Sequence, residues 1–410
     1  MKKRRGPDLG LLVVTGLLAA IGAIMVYSAS SADAYRTYHD AAYYFKREIM
    51  WLGVGIVALM IGARIDYAKL QAGAYWIFGI AVVLLGAVLV PHLGTEEGGA
   101  QRWFAYGPIS FEPSEFAKLA LVVLLARMFA DRDDGARSFR RAGAPALFAV
   151  GIAFTLVLRQ PDLGTASLFV ITAFVVMFAA GAKPMHLLLE AVIAVPAIAA
   201  FIFSSAYRRD RFTAFLHPFN DPQGTGYHII QSLYALGSGG VFGVGLGQSG
   251  QKFGYLPEPY TDFIYAIIGE ELGFIGAAGV LLLFLALAYR GARIAAAAED
   301  RFGFYLATGI TASIVLQAFV NIGVATSTWP VTGVPLPFIS YGGTSLVMSL
   351  FGIGLLASVS RGRAKASYGA GSDDLHRRGA TSAHPSRRRR HGGSSLPRAV
   401  TSQSALRRAR

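Results

Sequence analysis

The sequence predicts an all-α polytopic membrane protein with about ten transmembrane helices, and three observations carry that reading. Only 15% of the 410 residues are charged, against about 25% in soluble globular chains. Hydrophobic residues make up 54%. Apolar runs of about 18 residues or more recur along the chain, long enough to cross a hydrocarbon core about 30 Å thick. These features exclude a water-soluble enzyme. The absence of cysteine excludes a disulfide-stapled secreted domain and a thiolate metal site.

The runs fall near 9–30, 49–66, 74–92, 113–131, 143–159, 165–182, 186–206, 262–289, 303–325 and 341–360. The first follows Lys2–Arg5 and resembles a signal peptide, but about 20 apolar residues exceed a signal core, so a retained helix is expected. The net charge of +14 sits at the two ends. Residues Arg361 to Arg410 hold 13 basic and 2 acidic side chains, and Lys2–Arg5 adds four basic ones, leaving the middle nearly neutral. Basic segments flanking apolar spans put both termini in the cytoplasm and require an even number of crossings. Anionic membrane lipids are the expected contact of the basic ends, and no nucleic acid is expected.

The domain reading is a basic N-terminus (1–8), a ten-helix membrane domain (9–361) and a basic disordered tail (362–410). Inner loops at 67–73, 132–142, 183–185 and 290–302 carry Lys69, Arg132, Arg137, Arg140, Arg141, Lys183, Arg290, Arg293 and Arg301. The outer connections include one of unusual length: residues 207–261 form a large extracytoplasmic loop between helices 7 and 8. A long, aromatic, patterned loop is more often functional than passive, so any chemistry faces outward.

Ionisable residues within membrane spans normally face a polar interior. Here these are Glu115, Lys118, Asp162, Glu190, Asp262, Glu270 and Glu271. Glu112, Glu115 and Lys118 step by three along one helical face, as a self-neutralising ion pair or as the lining of an outward-open cavity. In Arg159-Gln160-Pro161-Asp162-Leu163-Gly164, Pro161 ends one helix and Asp162 is placed to cap the next; it also has the option of reaching Lys118 or a bound cation. Thr261 or Asp262 is a natural N-cap after Pro257 and Pro259, where the helix dipole favours an anion. Glu270 and Glu271 read as structural or inner-pathway charges.

Several familiar motifs are absent or out of context. Gly245-x-Gly247-x-x-Gly250 lacks a surrounding strand–helix unit, and no Walker A sequence occurs, which argues against nucleotide binding. The histidines have no zinc-ligand spacing. His217 and His228 read as polar surface. No Gly-x-Ser-x-Gly nucleophile setting appears.

The ordered segments Met25-Val-Tyr-Ser-Ala-Ser30, Gly99-Ala-Gln-Arg-Trp103, Pro113-Ser-Glu-Phe-Ala-Lys118, Gln160-Pro-Asp-Leu-Gly164, Gly226-Tyr-His-Ile-Ile-Gln-Ser232, Tyr255-Leu-Pro-Glu258, Thr261-Asp-Phe-Ile264, Gly269-Glu-Glu-Leu-Gly273, Asn321-Ile-Gly323 and Pro330 through Ser345 resemble the SEDS family (shape, elongation, division and sporulation). The resemblance spans residues 9–360. The wording between Arg208 and Phe253 looks like the division branch, FtsW, with the sporulation branch close and the elongation branch, RodA, less similar. Pro259-Tyr260 departs from the small residue and histidine of many relatives.

The resemblance implies a peptidoglycan glycosyltransferase that polymerises lipid II, the undecaprenyl-pyrophosphoryl disaccharide-pentapeptide, at the outer face of the cytoplasmic membrane. It implies that Asp262 is the catalytic residue and that Glu115, Lys118 and Asp162 line a central cavity. It also implies a class B penicillin-binding protein as partner, with divisome proteins at the septum. The chemistry adds further expectations. An acceptor hydroxyl needs an ionised base reachable from outside, which Asp262 supplies. A pyrophosphate leaving group needs positive charge, from Lys118, Arg159, Arg102 or a divalent cation, Mg²⁺ or Mn²⁺, for which Asp262 is the candidate ligand. Trp103, Lys252 and Glu258 complete the residues expected to line the substrate site, and Gly- and Ala-rich spans leave room for a polyprenyl groove. A lipid II flippase is the alternative, since buried charges mark transport paths too, and a scaffold activating a transpeptidase is a third. The patterned outer loop facing short inner loops favours the enzyme.

Overall fold

The structure, a computed structural model, describes residues 6–97, 100–107, 109–132 and 135–362. The basic run Lys2–Arg5, the tail beyond Gly362 and Gly99 of the Gly99–Trp103 segment lie outside the described residues. Among the described residues the chain forms α1 (Leu9–Tyr38), α2 (Tyr43–Arg64), α3 (Tyr67–Ala87), α4 (Pro113–Ala130), α5 (Ala144–Leu158), α6 (Leu163–Ala179), α7 (Pro184–Phe203), α8 (Ala206–Leu216), α9 (Tyr227–Ser238), α10 (Ile264–Ala296), α11 (Arg301–Ala325) and α12 (Gly343–Arg361). A helix therefore covers each of the ten apolar runs. The connection 207–261 is not an open loop, since it holds most of α8 and all of α9.

Seven of these segments are long and apolar enough by themselves to cross a membrane: α1, α3, Phe139–Leu158, α7, α10, α11 and α12. The other three fall short for physical reasons. α6 has 17 residues, while α2 carries Lys46, Arg47 and Glu48 and α4 carries Glu115, Lys118 and Arg127. Glu48, Glu115 and Lys118 are buried, and the last two compensate each other as an ion pair.

Aspartates fix several helix starts. Asp8 accepts from Leu11 N–H at 2.8 Å, Asp66 from Ala68 N–H at 3.0 Å, Asp162 from Thr165 N–H at 3.0 Å and Asp300 from Gly303 N–H at 2.9 Å. Each bond satisfies a donor that the first turn leaves free. The Asp66 cap corrects the expected inner loop 67–73, which instead forms the opening turns of α3. At the other end, α10 runs to Ala296 and absorbs Arg290 and Arg293, so the inner link shrinks to 297–300.

Glycines bring α2 and α12 into backbone contact. A Cβ at Gly354 would stand 2.3 Å from the Leu59 carbonyl oxygen, and one at Gly62 would stand 2.7 Å from that of Phe351. Such contacts are the usual basis of helix association in lipid. These glycines are consumed by packing and leave no groove between these two helices.

A small antiparallel sheet, β1 (Thr95–Glu97), β2 (Ala100–Tyr106) and β3 (Ile109–Phe111), fills the connection between α3 and α4 in the order β1-β2-β3. Thr344 Oγ1, at the start of α12, donates to the Ser110 carbonyl at 2.9 Å and accepts from Glu112 N–H at 3.3 Å. The sheet is thereby tied to the same end of the bundle as the start of α12.

One end of the bundle is marked by Asp8, whose carboxylate pairs with Arg290 at 3.5 Å and whose backbone N–H donates to Ser360 Oγ at 3.2 Å. Counting about 1.5 Å per residue along the helices, Ser28 of α1, Glu271 of α10 and Asn321 of α11 each stand about 30 Å from that end. That distance is about the thickness of a hydrocarbon core, so these three residues mark its opposite boundary.

Candidate active site

Asp262 does not cap α10. The helix begins at Ile264 after Phe263, with no side-chain cap, because residues 258–263 form a turn of their own. The Glu258 carbonyl accepts from Thr261 N–H at 3.4 Å and Phe263 N–H at 3.2 Å, while Thr261 Oγ1 donates to Glu258 Oε2 at 2.9 Å. Glu258 itself adopts φ 50° and is exposed.

The backbone of this turn is held at three consecutive carbonyls. Tyr260 O accepts from Tyr341 N–H at 2.9 Å, Thr261 O from Ser340 Oγ at 2.5 Å, and Asp262 O from Asn321 Nδ2 at 2.9 Å. Asn321 Nδ2 also donates to Val334 O at 2.9 Å, and Ser340 Oγ accepts from Leu336 N–H at 2.8 Å. The strap 330–342, which joins α11 to α12, thus grips the Asp262 turn. Gly333 lies beside the carboxylate with φ 70°, and a Cβ there would approach Asp262 Oδ2 to 3.6 Å. Among the described residues no hydrogen bond is made to the Asp262 carboxylate, which remains partly buried.

Burial pushes Asp262 up to about 7, and the neighbouring charge of Glu258 adds to that, while Arg211 and Arg102 pull the other way. A carboxyl raised in this direction is better matched to proton exchange near neutral pH than an ordinary aspartate. Arg102 of β2 clamps the α5–α6 link: its Nε donates to Gln160 O at 2.9 Å, its Nη2 donates to Pro161 O, and its Nη1 stands 3.9 Å from Asp162 Oδ2. Asp162 therefore does cap α6, and its charge partner is Arg102 instead of Lys118. The link packs on the strap, since a Cβ at Gly164 would meet Thr332 O at 2.9 Å.

Glu115 and Lys118 form the pair that their spacing suggests, 2.8 Å apart and buried. Lys118 Nζ also donates to Gln317 Oε1 at 2.5 Å, and Gln317 Nε2 donates to Pro335 O of the strap at 3.0 Å. This group borders a small, half-open pocket lined by Glu115, Lys118, Ile310, Ser313, Gln317 and Met348. Just before α4, Glu112 is held up at about 7 by burial and by the charges of Glu115 and Asp162.

Three expected site residues are placed elsewhere. Lys252 is buried and bonds Gly247 O at 2.7 Å and Glu271 Oε1 at 3.3 Å. It belongs to an ionic group around Glu271, because a buried ammonium takes the buried carboxylate nearest to it. Arg159 is exposed at the end of α5 and makes no ion pair among the described residues. Trp103 lies on β2 opposite Thr95, with no tie to the Asp262 turn. Conversely, Arg211 and Gln317 join the site without having been singled out, and Asn321 and Ser340, quoted in family motifs, join it without having been given a role. Gln317, Asn321 and Ser340 are uncharged, and Arg211 sits on a surface helix whose sequence looks like any other. His228 is no free surface group: it packs on the Phe263 ring at 6.1 Å, and burial with the charge of Arg211 lowers its pKa.

Among the described residues no three carboxylate or imidazole side chains converge to hold a metal ion. No such cluster is needed where a cation is shared between one or two carboxylates and substrate phosphates; the chemistry below concerns the chain's own groups.

A family model for cell cycle proteins of the FtsW/RodA/SpoVE type matches residues 9–365. The chain belongs to this family. Stage V sporulation protein E of Bacillus subtilis is 45% identical over 359 residues, covering 88% of this chain and 98% of that protein. A probable peptidoglycan glycosyltransferase FtsW of Trichlorobacter lovleyi is 42% identical, covering 87% and 93%. Among solved structures, a chain of a peptidoglycan synthase complex that coordinates polymerization and crosslinking is 32% identical, with a TM-score of 0.71 and coverage of 87% and 98%. The rod shape determining protein RodA of Thermus thermophilus is 29% identical, with a TM-score of 0.65 and coverage of 87% and 97%. The FtsW/RodA/SpoVE assignment makes this chain a multi-pass membrane protein, as its apolar helices require.

Proposed function

We propose that this member of the FtsW/RodA/SpoVE family is a peptidoglycan glycosyltransferase that polymerises lipid II, with Asp262 as the general base. One observation carries the reading. At the outer boundary of the bundle stands a carboxylate whose backbone is pinned at three carbonyls, whose side chain is not spent on any described partner, and whose pKa lies near neutrality. A group held in place but chemically free is what proton abstraction at a fixed geometry needs.

In the proposed step the 4-hydroxyl of the acceptor GlcNAc attacks C1 of the donor MurNAc. Its proton passes to an Asp262 carboxylate oxygen as the new O–C1 bond forms. The C1–O bond to the undecaprenyl pyrophosphate breaks with its electron pair, and C1 is inverted to a β-1,4 link. Arg102 and Arg211, whose charges already act on Asp262, face the developing negative charge of the leaving group. The cavity below, with Lys118 already neutralised by Glu115, is suited to shaping the site more than to carrying a free charge through it, which supports the enzyme over the flippase.

The reading extends to ten crossings with both termini in the cytoplasm and to work at the division septum beside divisome proteins. The partner is a class B penicillin-binding protein, consistent with a structural relative that is part of a synthase complex. The test is a lipid II polymerisation assay in proteoliposomes, with native and Asp262→Asn protein, each with and without the partner transpeptidase. Native protein with partner should yield glycan chains and the Asp262→Asn protein none. Polymer from the Asp262→Asn protein, or translocation of labelled lipid II without polymer from native protein, sinks the assignment.

A further inference from the structure

Residues 239–254 are expected from sequence to sit in outer water. Yet no Asp, Glu, Lys or Arg stands between Asp221 and Lys252. Within this stretch, residues 239–247 lie along α10 and exchange backbone hydrogen bonds with it. Val244 and Gly245 N–H donate to the Glu270 and Glu271 carbonyls at 3.0 Å each, and Phe274 and Ile275 N–H donate to Gly240 and Val241 carbonyls at 2.9 and 3.2 Å. The exchange is possible because α10 breaks at Gly273, with φ 68° and ψ −168°, which releases these groups from the helical ladder. Gly243 permits the approach, since a Cβ there would stand 2.2 Å from Glu271 O. Non-helical backbone within a membrane is tolerated only when its polar groups are paired in this way.

Depth and surface agree. Along the unbroken part of α10, Ile275 stands about 22 Å from Arg290. The paired segment, which begins at this level, falls within about the last 8 Å of a hydrocarbon core about 30 Å thick. Interfacial elements insert to about 5–10 Å. Phe242 is 81% exposed and Leu246 55%, with Val241 and Val244 exposed beside them. Phe274, Ile275 and Leu282 of α10 continue the same apolar surface downward. The charges at this level are turned inward: Glu270 takes Ser249 Oγ and Gly250 N–H, and Glu271 takes Ser28 Oγ and Lys252 Nζ.

We infer that residues 239–247 form a wedge seated in the outer leaflet, with Val241, Phe242, Val244 and Leu246 against lipid acyl chains just below the headgroups. The wedge anchors the connection that brings Arg211 and His228 to Asp262, so that the outer part of the site is held at a fixed height above the lipid.

The chain's lack of cysteine makes the test direct. Full-length Phe242→Cys and Leu246→Cys proteins are labelled with an environment-sensitive fluorophore and reconstituted into vesicles. Quenching by doxyl groups high on lipid chains is compared with quenching by aqueous iodide. Phe148→Cys on α5 serves as the lipid reference and Gln223→Cys, in the polar turn before α9, as the water reference; variants are accepted only with native elution and melting behaviour. The lipid-to-iodide quenching ratio at 242 and 246 should fall within about twofold of that at 148 and exceed that at 223 by about fivefold or more. Ratios like that at 223 overturn the inference. So does protection from iodide that appears only after a partner transpeptidase is added, which makes the surface a protein dock.

Discussion

Asp262 and the pair Glu270–Glu271 lie eight and nine residues apart in one segment, and the chain treats them in opposite ways. At Glu270 and Glu271 the hydrogen bonds land on the side chains. Ser249, Gly250, Ser28 and Lys252 occupy the carboxylate oxygens, stapling the 239–254 segment to α1 and α10. At Asp262 the hydrogen bonds land on the backbone, and the carboxylate is left open. A buried acid whose oxygens are all engaged is a structural tie. One whose main chain is clamped while its oxygens stay free is poised for chemistry.

The contrast is broken most sharply by neutralising each acid in turn. Asp262→Asn should lower polymerisation by about a hundredfold or more in protein that elutes normally. It should also melt no lower than native protein at pH 8. The sign follows from the raised pKa: burial of the ionised form costs stability, and that cost is absent at low pH and fully present above about 7. A melt at pH 8 that falls well below native would make Asp262 structural after all. In native protein the rate should rise as pH passes through about 7, where the base ionises; a flat profile from pH 5.5 to 8 removes it from the proton transfer.

Glu271→Gln should behave in the opposite manner. Leaving Lys252 without its buried partner costs about 3–5 kcal/mol, read as a lower melting temperature, while the rate per folded molecule stays near native. Loss of activity in fully folded Glu271→Gln protein would erase the distinction between the two acids.

Smaller effects sharpen the clamp itself. Ser340→Ala and Asn321→Ala should each reduce kcat by about tenfold with little change in KM, as expected when a base loses its position. Ser340→Thr keeps the hydroxyl and should restore most of the rate. The smallest effect is on the pH profile. Arg102→Gln removes a charge that lowers the Asp262 pKa, so the rising limb should move to higher pH, by less than one unit. A limb displaced to lower pH contradicts the charge arrangement around Asp262.

Much of the architecture is legible in the residues alone. Each apolar run became a helix because length and apolarity are local properties, and Asp162 caps α6 because a proline just before it stops the previous helix. Glu115 and Lys118 pair because three residues of helix bring them together. Lys252 could not be assigned correctly, since its partner Glu271 lies beyond a turn whose path no local pattern specifies. Gln317 escaped notice, and Asn321 and Ser340 entered only as parts of family motifs without a role, because a neutral polar residue in an apolar helix or loop carries no signal until its acceptor is known.

The sequence by itself determined a polytopic helical protein with acidic residues near its outer face, and its ordered motifs determined the family, because hydropathy and spacing act within a few turns of chain. The tertiary structure alone decided which acid is free. That depends on where the 330–342 strap and the 239–247 segment spend their hydrogen bonds, and those partners come from parts of the chain far from one another in sequence.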